Sequence, residues 1–415
     1  MAGITLITNI EGLVGLHSTN TALRGQQLAH LPQLKNAYLI VEDQEIAAVG
    51  LMNSLDANRY KGAQFIDATG KFVLPGWCDS HTHLVFAASR EEEFVDKIKG
   101  RSYQEIAAKG GGILNSARKV AEASEETLFL SAWNRLQEIG KMGTTTVEIK
   151  SGYGLSVEAE LKMLRVIKKL KEHSSLQIKA TFLGAHTYPT AFRDDHDTYI
   201  KLIIDEMLPV IAAEQLADFI DVFCEDGFFS PEETERIVLA GKSAGLPAKI
   251  HGNQLHLSKG VQTAVKLNAI SVDHLETMDE ASIACLAQSD TIGTLLPNAA
   301  FFLRMSDPPA RALIDAGAAI ALATDYNPGS APSGNMNLVI AQACVRMRML
   351  PEEAINAATI NGACALQLQE RCGSIHIGKR ADLIITKPIP SLAYLPYAFG
   401  QSCIEQVLVG GTPIL

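Results

Sequence analysis

Short apolar runs rich in β-branched residues recur between residues 72 and 325, and segments with helical periodicity separate most of them. Eight such runs predict strands at residues 72–78, 144–149, 178–183, 219–224, 248–251, 270–273, 291–296 and 319–324. Strands that alternate with helices form parallel sheets, and eight is the number that closes a (β/α)8 barrel. The pattern therefore predicts an α/β fold whose main part is such a barrel.

Two of the intervening segments carry specific helix signals. Residues 158–172 place their leucine and isoleucine side chains on one helical stripe. Ser230 is followed by Pro231 and then by Glu233, which is the sequence of a capping box with proline at the first helical position. The connection between residues 83 and 144 is longer than the others and contains three glycines at 110–112, so we expect a lid over the barrel mouth there.

Further short strands are expected outside the barrel, at residues 37–50, 65–71, 382–386 and 405–415. Neither end of the chain is long enough to bury a good core alone. The economical prediction is one small β-sandwich domain built from residues 1–70 and 373–415, with residues 71–372 forming the catalytic barrel.

Composition and charge narrow the classes of partner. Of the 415 residues, 47% are hydrophobic and 20% charged, which is typical of a globular protein, and the formal net charge is -10. Such a chain lacks the surplus of Lys and Arg that nucleic acids and anionic membranes require, so we expect neither as a partner. The amino terminus has no signal-peptide pattern, no apolar run reaches the length of a membrane span, and the seven cysteines are scattered, which together favour a reduced, cytoplasmic setting.

Polar side chains follow the ends of most predicted strands, where the catalytic groups of a (β/α)8 barrel lie. In chain order they are His81 and His83, Lys150 and Tyr153, His186, Glu225, His251 and Gln254, His274, and Asp325 with Asn327. We assign no catalytic step to Glu225 or Lys150, because carboxylates and lysines there often pair to keep a polar mouth neutral. The remaining histidines, at positions 17, 30, 173, 196, 256 and 376, are expected to be ordinary exposed or packing residues.

His81 and His83 lie two positions apart, which places them on the same side of an extended chain, about 7 Å apart at Cα. Taken alone, such a pair is also compatible with a structural pair or an exposed turn. His251 and Asp325, at two other strand ends, change the interpretation, because three imidazoles and one carboxylate suit a divalent metal such as Zn²⁺ or Fe²⁺. These four residues are therefore the predicted metal ligands.

Four motifs surround the candidate residues: SHTHLVFAASR at 80–90, EIKSGYGL at 148–155, FLGAH at 182–186 and TDYNPGS at 324–330. With them the chain resembles the amidohydrolase superfamily and, over nearly its whole length, the imidazolonepropionases within it. The resemblance implies a TIM-like barrel of the amidohydrolase type with one metal ion, Zn or Fe. It also implies a homodimer, a small anionic substrate, and hydrolytic opening of the cyclic amide in 4-imidazolone-5-propanoate to give N-formimidoyl-L-glutamate.

The resemblance also implies a set of substrate contacts, which are Arg90, Tyr153, His186, Gln254, Asn327, Gly329 and Ser330. Arginine offers a planar fork that suits the propanoate carboxylate, although Arg90 beside the glutamates at 91–93 could instead form a surface salt bridge. Tyr153 and His186 are expected to supply further hydrogen-bond donors, the alternative for Tyr153 being a packed turn residue.

Two residues receive proposed catalytic roles. Asp325, as a metal-bound carboxylate, is expected to accept the proton of the attacking water and deliver it to the departing ring nitrogen. His274 is expected to polarise the carbonyl or steady the water rather than to bind the metal. The alternative for His274 is a core histidine that is hydrogen-bonded to Glu276.

A metal-dependent deaminase acting on a nucleobase is the main alternative, because such barrels use the same ligand pattern. Deaminases of that class carry a proton-shuttling glutamate three residues after the strand-five histidine, whereas this chain has Gln254, whose amide cannot exchange protons near neutral pH. Asn253 departs from the aspartate expected in many imidazolonepropionases, which affects only a contact behind the site. A binuclear metal site would need a carboxylated lysine, but Lys150 lies in a motif typical of the imidazolonepropionases. A barrel that had lost activity and served as a scaffold would be expected to lose metal ligands first, whereas all four predicted ligands are present here.

Overall fold

The computed structural model of the protein describes residues 3–101, 105 and 111–414, and these form two sheets with surrounding helices. The strands are β1 (Thr5–Val14), β2 (Gln33–Glu42), β3 (Glu45–Leu51), β4 (Gln64–Asp67), β5 (Phe72–Pro75), β6 (Trp77–Asp79), β7 (Thr144–Lys150), β8 (Gln177–Ala185), β9 (Phe219–Cys224), β10 (Ala248–Gly252), β11 (Ser271–His274), β12 (Ile292–Leu295), β13 (Ile320–Leu322), β14 (Leu383–Thr386), β15 (Ile404–Val409) and β16 (Thr412–Pro413).

The α-helices lie mostly between the barrel strands. They are α1 (Glu91–Ile98), α2 (Ile113–Glu122), α3 (Glu125–Lys141), α4 (Val157–His173), α5 (His196–Lys201), α6 (Leu208–Glu214), α7 (Pro231–Ser243), α8 (Gly260–Lys266), α9 (Glu280–Ala287), α10 (Pro297–Leu303), α11 (Ala310–Asp315), α12 (Met336–Val345), α13 (Pro351–Ala358), α14 (Ile360–Ala365) and α15 (Tyr394–Tyr397). Four short 3-10 helices (Gly25–Ala29, Met52–Ser54, Ala57–Tyr60 and Thr190–Phe192) and one π-helix (Leu202–Met207) complete the described elements.

The barrel sheet consists of eight parallel strands, β6 to β13, which pair in chain order. A parallel bridge between Thr82 and Tyr326, just beyond β6 and β13, brings the first and last strands together and nearly closes the barrel. The predicted strands from residue 144 onward coincide with β7 to β13. The predicted (β/α)8 architecture is therefore confirmed.

The predicted strand at 72–78 is wrong as a single element, because it is divided between two sheets. β5 pairs in parallel with β1 through Phe72 and in antiparallel with β14 through Pro75, whereas β6 pairs with β7. Gly76 lies between them, and a Cβ there would come 2.2 Å from Thr145 Oγ1, so this crossing from one sheet to the other needs glycine. Both strands are fully buried, and a continuous apolar run carries no mark of a change of sheet.

The second sheet is mixed and is built from both ends of the chain. Its order is β16, β15, β14, β5, β1, β2, β3, with β4 also paired to β1. It has its own hydrophobic cluster, which includes the buried residues Ile7, Leu39, Val73 and Leu383. A small β domain composed of both termini is therefore present, and β5 extends its sheet past residue 70.

The predicted helix signals are confirmed. α4 buries the leucine and isoleucine stripe that includes Leu164 and Ile167. At the start of α7, Ser230 Oγ accepts from Glu233 N–H at 3.2 Å, and Glu233 Oε2 accepts from Ser230 N–H at 2.7 Å. Among the described helices, none combines the length and the apolar character needed to cross a membrane.

The predicted lid between residues 83 and 144 lies partly outside the described residues, which omit 102–104 and 106–110. Its described part contains α1, α2 and α3. α1 begins directly after Arg90 and, as shown below, contacts the loop that follows β13.

Candidate active site

The four predicted metal ligands converge at the carboxyl end of the barrel. His81 Nε2 and His83 Nε2 lie 3.5 and 3.6 Å from Asp325 Oδ1, and His83 Nε2 lies 3.5 Å from His251 Nε2. One ligand atom from each of the three histidines lies within 4.8 Å of the others. Side chains separated by more than two hundred residues thus meet at one point, as the order of the strands requires.

Backbone hydrogen bonds tie the loop after β6 to the loop after β13. Asp325 N–H donates to the His81 carbonyl at 3.0 Å, and His83 N–H donates to the Tyr326 carbonyl at 2.9 Å. Asp325 has a φ of +54°, a left-handed conformation that is uncommon for residues with a side chain and is found disproportionately at functional positions. The loops that carry three of the four predicted ligands are therefore hydrogen-bonded to each other.

The chemistry of this cluster fits a metal ion. His81 Nε2 is fully buried and, among the described residues, has no hydrogen-bond partner. Burial, followed by repulsion from neighbouring cationic groups and histidines, holds the pKa of His81 and His83 well below the ordinary value, so both imidazoles are neutral, as metal ligands must be. Burial raises the pKa of Asp325 to about 6, against the opposing effect of His274 and His251.

Two buried carboxylates orient the ligand histidines from behind. Asp273 Oδ2 lies 2.7 Å from His81 Nδ1, and Asp221 Oδ2 lies 3.0 Å from His251 Nδ1. A carboxylate on the far nitrogen fixes the tautomer of a metal-binding imidazole and leaves Nε2 directed at the ion. Sequence reasoning missed both aspartates, although each stands as a lone charge inside an apolar strand, which is a signal of a buried partner.

A network of buried charges lies beneath these aspartates. Lys150 Nζ donates to Glu148 Oε1 and to Asp221 Oδ2, both at 2.7 Å, and lies 3.7 Å from Asp273 Oδ2. Lys249 Nζ donates to Glu148 Oε2 and also to the Ser80 carbonyl, the latter at 2.7 Å. Burial lowers the pKa of Lys150, but the carboxylates outweigh this effect and raise it above the ordinary value. Lys150 therefore remains a charged structural group.

The structure is consistent with both interpretations of His274, as a histidine paired with Glu276 and as a group that faces the candidate metal site. Its Nδ1 lies 3.3 Å from Glu276 Oε1, while its ring centroid lies 5.6 Å from that of His81 and one of its ring nitrogens lies within reach of Asp325. Its φ is +90°, so the backbone is strained where the ring is presented to the cluster. Burial lowers its pKa, but the charge and hydrogen bond of Glu276 together with the charges of Asp325 and Asp273 outweigh burial and raise the pKa overall, which favours an imidazole that can donate.

Arg90 forms a salt bridge that is buried rather than superficial. Its Nε and Nη2 donate to Glu93 Oε2 at 2.9 and 2.6 Å, and the two side chains are only 13% and 12% exposed. A Cβ built on Gly329 would lie 2.2 Å from Arg90 Nη1. The guanidinium therefore packs against the backbone at position 329, and a larger residue there would displace it.

Tyr153 and His186 lie beside the metal cluster. The His186 ring stacks on His83 with centroids 5.2 Å apart, and the Tyr153 ring lies 5.7 Å from His83. His186 Nδ1 lies 3.0 Å from the Gly152 carbonyl, which can only accept, and burial lowers the pKa of His186 to about 3. The neutral ring thus offers Nε2 as an acceptor, which differs from the donor role predicted from the sequence.

The loop after β13 is held by the side chain of Asn327. Its Oδ1 accepts from Gly329 N–H and Ser330 N–H, both at 2.8 Å, and its Nδ2 donates to the Asp325 carbonyl at 2.6 Å. Ser330 Oγ in turn lies 3.2 Å from Asp325 Oδ2. Asn327 therefore shapes the loop that links Asp325, a predicted metal ligand, to Gly329, against which Arg90 packs. The predicted residues of this loop thus lie at the same barrel mouth as the histidines.

Comparison with known proteins places this site in a family. Residues 72–414 match the amidohydrolase family. The chain is 54% identical over 409 residues to the imidazolonepropionase of Flavobacterium johnsoniae, which covers 98% of this chain and 99% of that relative. It is 51% identical over 407 residues to the imidazolonepropionase of Christiangramia forsetii, with 98% of each chain covered. The chain belongs to the imidazolonepropionase family.

Solved structures with the same fold include deaminases. Guanine deaminase from E. coli superposes with a TM-score of 0.77 at 13% identity, covering 100% of this chain and 99% of that chain. An adenosine deaminase from Xanthomonas campestris with bound zinc gives a TM-score of 0.69 at 18% identity, covering 99% and 92%. At these sequence identities the likeness shows the fold alone. It therefore gives no support to the deaminase alternative.

Gln254 and Asn253 follow β10, where the sequence argument against a deaminase was made. The Gln254 side chain makes no hydrogen bond within the described part of the chain, and its backbone carbonyl accepts from Thr277 Oγ1 at 3.3 Å. Asn253 Nδ2 donates to the Thr277 carbonyl at 3.0 Å and its Oδ1 accepts from Val261 N–H at 3.3 Å. Asn253 therefore holds the loop, and the Gln254 amide is available to a ligand.

Glu225 and three other histidines have structural partners. Glu225 Oε2 accepts from Leu255 N–H at 2.9 Å, which steadies the loop after β10, and its Oε1 lies 3.2 Å from His256 Nδ1. His17 lies 2.8 Å from Asn356 Oδ1 in the core. His196 stacks on Tyr188 with centroids 3.7 Å apart and lies 2.9 Å from Glu233.

Proposed function

We propose that the chain catalyses the hydrolytic ring opening of 4-imidazolone-5-propanoate to N-formimidoyl-L-glutamate. One observation carries the proposal: the cluster of His81, His83, His251 and Asp325 opens onto the same barrel mouth as Arg90, whose guanidinium packs against the loop after β13. Ring opening of an anionic cyclic amide needs a site for activated water beside a cation that binds the carboxylate, and this mouth offers both. The full-length identity to imidazolonepropionases supports the same conclusion.

We further propose that His81, His83, His251 and Asp325 hold one divalent ion, zinc or iron, because nitrogen and oxygen donors in this combination suit either metal. When bound, such an ion lowers the pKa of water from about 16 towards 7 and polarises a carbonyl oxygen. Asp273 and Asp221 would hold the imidazoles in the tautomer that binds it.

The proton transfers fall to Asp325 and His274. Asp325 accepts a proton as the water oxygen bonds to the amide carbon, and it returns that proton to the ring nitrogen when the carbon–nitrogen bond breaks. Its position supports this role, because Asp325 Oδ1 lies 3.5 Å from His81 Nε2 and 3.6 Å from His83 Nε2, beside the place where the metal and its water would lie. His274, held by Glu276 at 3.3 Å, donates a hydrogen bond to the carbonyl oxygen as negative charge develops on it.

Different residues are proposed to bind the propanoate and the ring of the substrate. Arg90 binds the carboxylate, and Tyr153, whose ring lies 5.7 Å from that of His83, supplies a further hydrogen-bond donor to the substrate. His186 Nε2 accepts from a ring N–H, and the Gln254 amide can both donate to and accept from the ring.

A two-substrate assay tests the proposal. The purified protein is incubated with imidazolone propanoate, where loss of ring absorbance reports opening, and with guanine and cytosine, where ammonia release reports deamination. We expect ring opening without ammonia release, and the reverse result would overturn the proposal. The variant Asp325→Asn should lose roughly 10²- to 10⁴-fold in turnover, whereas Asp315→Asn, at an exposed ion pair with Arg311, should not.

The homodimer and the cytoplasmic location predicted from the sequence stay predictions. Sedimentation velocity measures the first, and fractionation of cells measures the second. The metal is identified by mass spectrometry of protein purified without added ions.

A further inference from the structure

The carboxylate pocket is the space beside Arg90 and Gly329 where we propose that the propanoate binds. Arg90 alone does not make this pocket positively charged, because Glu93 neutralises it. Glu93 Oε2 accepts both Arg90 bonds, and its Oε1 accepts from Gly112 N–H at 3.0 Å. Burial alone would raise the pKa of Glu93, but Arg90 and this backbone donor outweigh it and lower the pKa, so the carboxylate is ionised at neutral pH. The pair is therefore formally neutral, and a propanoate brought to Arg90 also approaches a negative side chain.

Lys97 is a second cation at this place. Arg90 directly precedes α1, and Lys97 lies in its last turn, about two helical turns further along. Lys97 Nζ lies 3.4 Å from the Gly329 carbonyl, so Arg90 and Lys97 flank the same glycine of the loop after β13. The Lys97 ammonium also lies 5.9 Å from the centroid of the Phe302 ring, which fixes its direction.

Lys97 is half-buried and, within the described part of the chain, no carboxylate lies within 4.0 Å of it. Burial, followed by repulsion from Arg90, lowers its pKa, and Glu93 offsets this only in part. Among the residues that the structure describes, one acceptor, the Gly329 carbonyl, is available to its three N–H donors. An anion at this position would both satisfy the remaining donors and relieve the repulsion between the two cations.

We propose that Lys97 is a specificity-determining residue that gives the carboxylate pocket its net positive charge, with Arg90 supplying the planar geometry. The inference rests on the proposed function, because it assigns a role towards the propanoate of that substrate. It explains how a chain with a net charge of -10 attracts an anionic substrate: the local cations at residue 329 override the global charge.

Steady-state kinetics of Lys97→Met test the proposal, because methionine keeps the length of the side chain and removes the charge. We expect KM for imidazolone propanoate to rise roughly 10- to 100-fold, the range for a lost charge-assisted hydrogen bond, with kcat changed less than about threefold. Lys99→Met is the matched control, since Lys99 is exposed two residues further along, and its KM should equal that of the wild type. Lys97→Arg, which keeps the charge, should recover most of the affinity.

Two further measurements separate charge from structure. The KM of the wild type should rise with ionic strength more steeply than that of Lys97→Met, because screening acts on the charge that the variant lacks. A substrate with a carboxamide in place of the carboxylate should show the same KM in both proteins. Thermal melting of each variant reports whether α1 still folds on the barrel.

The outcomes are distinct. A wild type that opens the ring, with Lys97→Met within twofold of it in KM, overturns the role of Lys97 and leaves the proposed function in place. A rise in KM that Lys97→Arg fails to reverse, or that equally affects the carboxamide, overturns it as well. A wild type without ring-opening activity overturns the proposed function and this inference together.

Discussion

Replacing Lys150 by methionine probes the charge network beneath the metal site. The Lys150 ammonium lies 2.7 Å from Glu148 Oε1 and from Asp221 Oδ2, and all three side chains are completely buried. Removing the cation leaves three buried carboxylates, Glu148, Asp221 and Asp273. Among the described lysines, Lys249 still contacts Glu148 and lies 4.0 Å from Asp273. Breaking a buried ion pair by deleting one partner costs about 3–5 kcal/mol, so Lys150→Met should lose that much free energy of unfolding.

Urea unfolding followed by tryptophan fluorescence measures this loss, since Trp77 is 1% exposed within the barrel strand β6. A chelator is included so that metal binding does not contribute to the free energy. Lys266→Met is the matched control: Lys266 Nζ lies 2.7 Å from Glu235, but the two side chains are 64% and 35% exposed. This surface pair should cost less than about 1 kcal/mol. Equal losses in both variants would refute the argument that burial sets the magnitude.

The loss should also depend on pH. Burial raises the pKa of Asp221, but His251 and Lys150 outweigh it and hold the pKa well below the ordinary value. A depressed carboxyl pKa stabilises the fold above the unfolded value of about 4, and that stabilisation disappears as pH falls through the folded value. The variant lacks the part of this stabilisation that Lys150 supplies, so the difference in free energy of unfolding between wild type and variant should be largest above about pH 5 and should shrink as pH falls below about 4. A constant difference would contradict this reasoning.

Three further predictions concern the site itself. Asp273→Asn removes the negative charge that contacts His81 Nδ1, so metal binding should weaken about 10- to 100-fold. A competition titration with a chelating dye measures this affinity, and an unchanged affinity would contradict the role of Asp273 in orienting His81. Gly329→Ala should raise KM at least about tenfold, because its Cβ would come 2.2 Å from Arg90 Nη1, whereas an unchanged KM would show that the guanidinium moves aside freely. Dialysis against a chelator should abolish ring opening by the wild type, and either zinc or iron should restore it. The same ions should not restore ring opening to Asp325→Asn, and full activity in that variant would overturn the proton-transfer role of Asp325.

The residues of the site were visible in the sequence because each is a polar group at the end of an apolar run. Strand periodicity counts the barrel strands, and the strand order then brings the histidines after β6 and in β10 to the aspartate after β13. Gln254, three residues beyond His251, argues against a deaminase by its side-chain chemistry, because an amide cannot take up and release protons near neutral pH. These conclusions depend on local order and residue type, which a sequence states directly.

Tertiary structure alone decided how these groups are partnered. The run at 72–78 reads as one strand, yet pairing divides it between two sheets at Gly76, because hydrogen bonds between strands leave no trace in local periodicity. His186 is an acceptor because the Gly152 carbonyl lies 3.0 Å from its other nitrogen.

The charge balance around Arg90 was also decided by tertiary structure alone. Glu93 neutralises Arg90, and Lys97 reaches the carbonyl of Gly329 across more than two hundred residues of chain. Composition determines how many charges a protein has, but only the packing of separate elements determines which of them cancel. The sequence alone was therefore sufficient to predict the barrel, the residues that cluster at its mouth and the reaction class. The contacts that tune this cluster depended on distances between segments far apart in the chain.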